Sequence, residues 1–294
     1  MTSAGIKAVR EHLAKLPQPE TIAGKRAQYD KAERVFQTPA DVAVEAVRAP
    51  QVPAEWLVPR GARTDAAVLY LHGGGYVIGS PRSHRHLAGA IASAAGLSAL
   101  LPDYRLAPEQ PFPAAVEDAT AACGWLLAKG IAPNRIVIAG DSAGGGLTVA
   151  TLLALRDKGQ PLPAAGVCIS PWVDLTCSGA SYVTRADRDP IVKREGVSEM
   201  AKAYLGGADA KTPLASPLHA DLRGLPALLI HVGSDEVLLD DATQLAAQAK
   251  AAGVEVTLEV WEEMIHVWHW FLPMLEEAQR AVARIGEFVS ARIR

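Results

Sequence analysis

Hydrophobic residues along the chain occur either in short continuous runs or at the three-to-four-residue spacing of helices. Eight runs are typical of strands, and they cover residues 42–49, 54–59, 66–71, 97–102, 135–139, 165–169, 227–232 and 254–261. Helical spacing extends over residues 84–95, 114–129, 145–158, 240–252 and 270–294. Because helices and strands alternate after two initial edge strands, the pattern predicts an α/β protein. We expect a mostly parallel central sheet of about eight strands with helices on both faces.

Two segments interrupt this alternation. Residues 1 to about 40 are predicted to form helices before the sheet begins. Residues 176–221 break the pattern after the sixth strand; they contain Ser, Gly and Pro and a helix-like run over residues 195–205. No internal repeat or low-complexity tract is visible, so residues 1–294 are predicted to form a single domain.

Composition excludes several classes of protein. Hydrophobic residues make up 49% of the chain, enough for a large core, and the net charge of −3 offers no basic surface to nucleic acid. No run of about 18 uninterrupted apolar residues is present, and the first residues lack the apolar core of a secretory signal, so we expect neither membrane insertion nor export. The odd number of cysteines (Cys123, Cys168 and Cys177) suits buried thiols in a reducing compartment, which predicts a cytoplasmic protein.

A serine lies in a glycine-rich turn between a predicted strand and a predicted helix. Residues 140–145 read Gly-Asp-Ser-Ala-Gly-Gly, and they separate the strand-like run 135–139 from the apolar stretch 147–155. A G-x-S-x-G turn in this context holds the serine in a strained conformation, with its hydroxyl above the sheet edge. The five-residue pattern alone is weak, but its context makes Ser142 the candidate nucleophile.

A second glycine-rich loop follows the strand-like run 66–71. Its residues His72–Tyr76 include three consecutive glycines, so backbone N–H groups can approach a ligand without side-chain obstruction. Fixed donors of this kind stabilise the oxyanion of acyl transfer by about 3–4 kcal/mol each. We predict Gly73, Gly74 and Ala143 as these donors. The loop lacks the spacing of a phosphate cradle or a dinucleotide site, and no cofactor is predicted.

Two later loops carry the candidate acid and base. The run 227–232 leads into Gly-Ser-Asp-Glu, and the run 254–261 leads into a loop that ends at His266. The carboxyl ends of parallel strands collect at one sheet edge, where a serine, an acid and a histidine can meet in this chain order. We assign His266 as the base that takes the Ser142 proton and Asp235 as the acid that orients the imidazole.

Other residues compete for both roles. Glu236, Asp240 and Asp241 are alternative acids, but they fall where a helix would begin, and carboxylates there often serve the helix dipole. Asp235 is preferred because it lies nearest the end of the strand. His269, one helical turn beyond the assigned base, is expected to pack or hydrogen-bond on a helix that opens near residue 268. The remaining histidines show no metal-ligand spacing, so no metal site is predicted.

Taken together, these motifs resemble those of the hormone-sensitive lipase family of α/β-hydrolases, in its bacterial carboxylesterase branch. The resemblance covers nearly the whole chain and rests on residues 72–76, 103–109, 140–145 and 170–175 and on the loops of Asp235 and His266. It implies hydrolysis of short-chain carboxylic esters through a serine acyl-enzyme. One departure is Val267-Trp268, where many members have Gly-Phe after the histidine, and this difference could reshape the acyl pocket.

The resemblance also implies that residues 1–40 and 176–221 form a helical cap above the nucleophile. Such a cover would exclude water during acylation and bind the apolar part of the ester. Seven apolar or aromatic residues are candidates to line the pocket: Tyr76, Trp172, Met200, Tyr204, Leu205, Val267 and Trp268.

An ester hydrolase uses every part found, with a small-molecule ester as its partner. An amidase or peptidase would use the same residues and stays open as an alternative. A non-catalytic small-molecule binder is a third alternative, against which the presence of His266 argues. The strand-like run 254–261, if exposed at the sheet edge, could pair between subunits in a homodimer.

Overall fold

The computed structural model describes residues 3–49 and 52–293. Its strands are β1 (Val42–Ala49), β2 (Val52–Pro59), β3 (Arg63–Leu71), β4 (Leu97–Pro102), β5 (Ile136–Asp141), β6 (Ala165–Ile169), β7 (Ala227–Gly233) and β8 (Val256–Trp261). Its helices are α1 (Ala4–Leu13), α2 (Ile22–Asp30), α3 (Ala32–Val35), α4 (Pro81–Ala95), α5 (Ala114–Ala128), α6 (Ala143–Asp157), α7 (Ser181–Thr184), α8 (Arg194–Leu205), α9 (Leu239–Ala251) and α10 (Glu276–Arg292). Short 3₁₀ turns cover Pro133–Arg135, Pro217–His219 and Trp268–Phe271.

The strands form one sheet in the order β1-β2-β4-β3-β5-β6-β7-β8. Strands β3 to β8 pair in parallel, whereas β2 is antiparallel to both β1 and β4. The predicted mostly parallel sheet is therefore confirmed. The prediction that both of the first two strands are edge strands is wrong for β2, because it pairs on both sides. β1 and β8 are the edges.

Each central strand contributes side chains to two apolar cores, one on each face of the sheet, because successive side chains of a strand point to opposite faces. In β3, Leu69 and Leu71 belong to the first core, and Val68 and Tyr70 belong to the second. Helices α5, α6 and α9 cover the first core, while α4 and α10 cover the second. The predicted helices on both faces are present.

The last helix begins later than its apolar spacing suggests. Helical periodicity starts at residue 270, but Trp268–Phe271 form a 3₁₀ turn and α10 begins at Glu276. Pro273 lies between the two elements, and a proline inside a helix removes a backbone hydrogen bond and clashes with the preceding turn. The chain therefore changes direction here before α10 packs on the sheet.

The N-terminal helix joins the rest of the molecule through a third apolar cluster. Ile6 and Val9 of α1 are fully buried in it, together with Ile265 and Trp268 from the loop after β8. Helix α1 thus lies at the carboxyl edge of the sheet, against the loop that carries His266. Among the helices of residues 3–49 and 52–293, none combines the length and the apolar character that a bilayer crossing requires.

Candidate active site

Ser142 is the residue between β5 and α6, and its backbone is strained. Its φ is 53° and its ψ is −119°, a combination that non-glycine residues rarely adopt. The Ser142 N–H donates to the Ile169 carbonyl at 2.8 Å, and its own carbonyl accepts from the Trp172 N–H at 2.9 Å. A Cβ at Gly144 would lie 2.0 Å from the Leu71 carbonyl oxygen, so this position of the turn requires glycine. The strained turn that the sequence predicts is present.

The glycine-rich loop after β3 lies beside this turn. The Gly73 N–H is directed at the buried Asp141 carboxylate, with Oδ1 at 3.2 Å, and His84 Nε2 also lies 3.2 Å away. The prediction of Gly73 as an oxyanion donor is therefore wrong, because its N–H is already engaged inside the protein. Gly74 and Gly75 line the neighbouring cavity instead.

Three N–H groups at this edge stay available to a ligand. Within residues 3–49 and 52–293, the N–H groups of Gly74, Gly75 and Ala143 donate to no protein acceptor. Ala143 opens α6, and the first N–H groups of a helix have no partner inside the helix. Gly75 has a φ of 62°, and a Cβ there would lie 2.2 Å from the sulfur of Met200, so the loop passes closely under α8. The sequence analysis missed Gly75, although it belongs to the same glycine run.

His266 lies in the loop after β8 and is 5% exposed. It lines the same cavity as Ser142. Its Nδ1 is 2.9 Å from Oε2 of Glu236, whose side chain is fully buried. A carboxylate that accepts from Nδ1–H fixes the ring tautomer and leaves Nε2 free to accept a proton. The acid that contacts the candidate base is Glu236.

Asp235 points elsewhere, so the predicted contact between Asp235 and His266 is wrong. Its Oδ2 is 2.9 Å from Arg10 Nη2, and its Oδ1 is 3.5 Å from Arg188 Nη1. Arg10 belongs to α1 and Arg188 to the segment between β6 and β7, which adjoin this turn only in the folded chain. Glu236 was set aside as part of a helix's first turn, but α9 begins only at residue 239.

The remaining rival residues have other partners. Asp241 accepts two backbone N–H groups from the loop after β6, and Asp240 accepts one from α7. His269 Nε2 lies 3.1 Å from His231 Nδ1, and both rings are fully buried. His269 thus packs and hydrogen-bonds as expected, on the Trp268–Phe271 turn rather than on a longer helix.

Burial and hydrogen bonding shift the pKa values of Glu236 and His266. Burial raises the pKa of Glu236, while hydrogen bonds from His266 and from the Gly233 N–H, which lies 2.6 Å from Oε1, act in the opposite direction. Burial alone would lower the pKa of His266, but the hydrogen bond and the negative charge of Glu236 outweigh it and raise the pKa above its usual value. An imidazolium formed at His266 is therefore stabilised by its neighbour.

A cavity of about 620 Å³ contains both Ser142 and His266 in its wall. Of the seven predicted pocket residues, three line it, namely Trp172, Met200 and Val267. Residues from both irregular segments of the chain also line it, and most of them escaped the sequence analysis: Leu13, Leu16, Tyr29, Phe36, Ile191 and Val197. Apolar positions in the otherwise polar segment before residue 40 were the available signal.

The other four predicted pocket residues do not line this cavity. The rings of Tyr76 and Tyr204 stack on each other with their centroids 3.8 Å apart and belong to the first core. Leu205 packs half-buried against the same core, and Trp268 lies in the third apolar cluster. These large side chains fill the interior around the site, as apolar residues commonly do.

Comparison with known proteins identifies the family of the chain. The α/β-hydrolase fold family matches residues 68–270. An acetyl-hydrolase of Streptomyces hygroscopicus is 53% identical over 269 residues, which cover 91% of this chain and 89% of that protein. The carboxylesterase/phospholipase LipF of Mycobacterium tuberculosis is 33% identical over 300 residues, covering 98% of this chain and 78% of that one.

Solved structures are similar over the whole chain. An esterase from the bacterial hormone-sensitive lipase family is 52% identical, with a TM-score of 0.97 over 100% of both chains. The esterase EstE5, in crystals soaked with p-nitrophenyl butyrate, is 50% identical, with a TM-score of 0.95 over 99% of both chains. The chain therefore belongs to the α/β-hydrolase fold family, in its hormone-sensitive-lipase-like branch, and is a carboxylic ester hydrolase.

Proposed function

We propose that this enzyme cleaves short-chain acyl esters with Ser142 as nucleophile, His266 as general base and Glu236 as the carboxylate that orients the base. The observation that carries the proposal is the 2.9 Å hydrogen bond between Glu236 and His266. It lies at the wall of the cavity to which the strained Ser142 turn also contributes. Glu236 takes the place that the sequence analysis assigned to Asp235.

The reaction follows from these positions in two stages. Ser142 Oγ attacks the ester carbonyl carbon while its proton passes to His266, and the alcohol then leaves with that proton as its C–O bond breaks. Water next gives a proton to His266 and attacks the acyl carbon, and the proton returns to Ser142 as the carboxylic acid departs. Glu236 stays ionised throughout and stabilises the imidazolium, since its carboxylate accepts the Nδ1–H.

The negative charge on the carbonyl oxygen needs donors fixed in advance. The N–H groups of Gly74, Gly75 and Ala143 suit this role, because no acceptor in the described part of the chain uses them. Each well-placed donor contributes about 3–4 kcal/mol to the transition state. The Gly73 N–H has a different part in this arrangement, since its bond to Asp141 holds the start of the loop against β5.

The preference for short acyl groups and the cap belong to the same proposal. Residues of both segments, 1–40 and 176–221, contribute to the cavity wall, which supports their assignment as a cap that excludes water. A cavity of about 620 Å³ is in the size range of small-ligand sites. The names of two relatives, an acetyl-hydrolase and an esterase soaked with a butyrate ester, agree with short acyl groups.

Two further expectations from the sequence join the proposal. β8 pairs with β7 alone among the described strands, so its outer edge could pair with a second copy in a homodimer. Cys123, Cys168 and Cys177 are buried free thiols, which suits a reducing compartment such as the cytoplasm.

The test combines mutagenesis with covalent labelling. Ser142→Ala should reduce hydrolysis of p-nitrophenyl butyrate by several orders of magnitude, while Ser290→Ala on the exposed side of α10 should leave the rate unchanged. An organophosphate should modify the wild-type protein once, on the peptide that contains Ser142. Retained activity in Ser142→Ala, or labelling at another residue, would contradict the proposal.

A further inference from the structure

Ser170 follows β6 directly and is held in a conformation that serine rarely adopts. Its φ is 45°, in the left-handed region that favours glycine, and its side chain is fully buried. The next residue is Pro171, and a residue before proline is normally confined to extended backbone. The Ser170 N–H donates to the His231 carbonyl at 2.7 Å, which anchors the strained position to β7. Glycine would adopt this left-handed backbone with less strain. The presence of serine therefore points to a role for its side chain.

The hydroxyl of Ser170 connects the two loops that carry the proposed acid and base. It donates to Oε1 of Glu236 at 2.7 Å, and it accepts from the Val267 N–H at 3.1 Å. Glu236 follows β7, and Val267 follows His266 in the loop after β8. One oxygen atom therefore joins the ends of three neighbouring strands behind the Glu236–His266 pair.

Resting on the function proposed above, we propose that Ser170 is a positioning residue that keeps Glu236 ionised and aimed at His266. The two oxygens of Glu236 accept hydrogen bonds from different donors. Oε2 accepts from His266, while Oε1 accepts from the Ser170 hydroxyl and the Gly233 N–H. These two donors hold Oε1 from behind, so Oε2 faces the imidazole. The hydrogen bond from the Val267 N–H to Ser170 Oγ in turn holds the loop that carries His266 in place beside Glu236.

The charge on Glu236 explains why a donor is needed there. The carboxylate is fully buried, and burial raises its pKa, so hydrogen bonds to the charged form oppose the shift. Removing the Ser170 hydroxyl would destabilise ionised Glu236 in both protonation states of His266. The loss would be larger when His266 is neutral, because no positive charge then compensates the carboxylate. The pair would then bind its proton more tightly, and the activity would appear only at higher pH.

Other charged groups face the same pair and stay in place when Ser170 is changed. Asp189, from the segment between β6 and β7, raises the pKa of both Glu236 and His266, and Asp141 at the end of β5 raises that of His266. His269, in the following turn, is buried with its pKa well below the usual value. A shift of the pH profile on removing the hydroxyl can therefore be assigned to Ser170.

Ser170→Gly separates the hydroxyl from the backbone strain. The variant relieves the left-handed conformation but loses both side-chain hydrogen bonds. We expect its kcat on p-nitrophenyl butyrate to fall by about tenfold to a hundredfold, the size of a lost hydrogen bond to a charged group. The acid limb of its pH profile should move up by about one unit. Ser170→Ala, which keeps the strain, should show the same kinetic changes with a lower melting temperature.

Ser216→Ala is the matched control, since Ser216 is also fully buried and accepts a backbone N–H, at 2.8 Å from Leu175, away from the pair. It should leave the pH profile in place.

A double-mutant cycle then tests whether Ser170 acts through Glu236. In a Glu236→Gln background, Ser170→Gly should lower kcat by less than about threefold, because the carboxylate through which it acts is gone.

The outcomes distinguish this inference from the proposed function. If Ser142 is labelled by the organophosphate but Ser170→Gly keeps the wild-type kcat and pH profile, Ser170 has no positioning role. Equal losses from Ser170→Gly with and without Glu236 would also overturn it, since the effect would then be structural. If Ser142 is not labelled, the proposed function itself fails.

Discussion

Arg10 of α1 donates to Asp235 of the loop after β7, with 2.9 Å between Nη2 and Oδ2. The same guanidinium donates through Nη1 to the Arg188 carbonyl at 2.6 Å, so it joins α1, the segment between β6 and β7, and the turn that carries Glu236. Asp235 therefore links α1 and the segment between β6 and β7 to the loop after β7, while its neighbour Glu236 faces His266. The two adjacent carboxylates have different partners because their side chains leave the turn in different directions.

The first prediction distinguishes these two carboxylates. Asp235→Asn should keep kcat/KM for p-nitrophenyl butyrate within about fivefold of wild type, because it weakens a partly exposed ion pair. Glu236→Gln should lower kcat by about 10³- to 10⁴-fold, because the imidazolium loses its charged partner and the tautomer is no longer fixed. A larger loss from the asparagine variant would restore Asp235 as the acid.

The second prediction concerns the stability of the segment between β6 and β7. Asp189 is fully buried; Oδ1 accepts from the Ile191 and Val192 N–H groups, and Oδ2 accepts from the Val237 N–H at 3.0 Å. Asp189→Ala would leave these donors unpaired, so the free energy of unfolding in urea should fall by about 3–5 kcal/mol. Asp187→Ala, at an exposed position two residues earlier, is the control and should change it by less than about 0.5 kcal/mol.

The third prediction is the pH dependence of the wild-type enzyme. As the proposed general base, His266 must be neutral to accept the Ser142 proton, and its pKa is raised above the usual histidine value of 6.5. Activity should therefore decline as the pH falls through a value above 6.5, and kcat/KM between pH 5 and pH 9 measures this limb. Glu236→Gln removes the interaction that raises the pKa while burial continues to lower it, so its residual activity should persist to lower pH. An acid limb at the same pH in both proteins would show that another group controls it.

The fourth prediction tests which residues set the acyl pocket. Met200 lines the cavity and packs over Gly75, whereas Leu205 lies outside it, although both were predicted to line it. Met200→Phe should reduce kcat/KM for a hexanoate ester by about tenfold or more relative to an acetate ester, because the pocket loses room for the added methylenes. Leu205→Phe should leave this ratio unchanged. The comparison needs only a series of p-nitrophenyl esters, and a reversed result would place the acyl group beside Leu205.

The sequence predicted the fold well because the deciding information is local. Apolar strands alternate with amphipathic helices, and this alternation is enough to predict a parallel sheet and its two covering layers. The strained turn at Ser142 could be predicted because its glycine-rich sequence lies between a strand and a helix. Near residue 270 the spacing was misleading, since the periodicity continues across Pro273 while the chain does not stay helical.

The finer assignments failed where a distant residue decides the direction of a side chain or an N–H. Asp235 and Glu236 are adjacent, and the partners that separate them are distant in sequence: Arg10, which binds Asp235, is 225 positions away from it. Gly73 and Gly75 are equally plausible donors in sequence, until Asp141 is seen to bind the Gly73 N–H. Aromatic residues are common both in pockets and in cores, so the sequence pattern alone could not show that Trp172 lines the cavity and Tyr76 does not.

The burial of Ile6 and Val9 beside Ile265 and Trp268 packs α1 against a loop more than 250 residues later in the sequence, the loop that carries His266. Contacts between residues so far apart along a chain form late in folding, because a long loop must close before they are gained. The contacts of α1 with this loop can therefore form only after the chain has been synthesised past residue 268. A proteolytic cut just after α1 would separate Ile6 and Val9 from the chain that carries the rest of this apolar cluster.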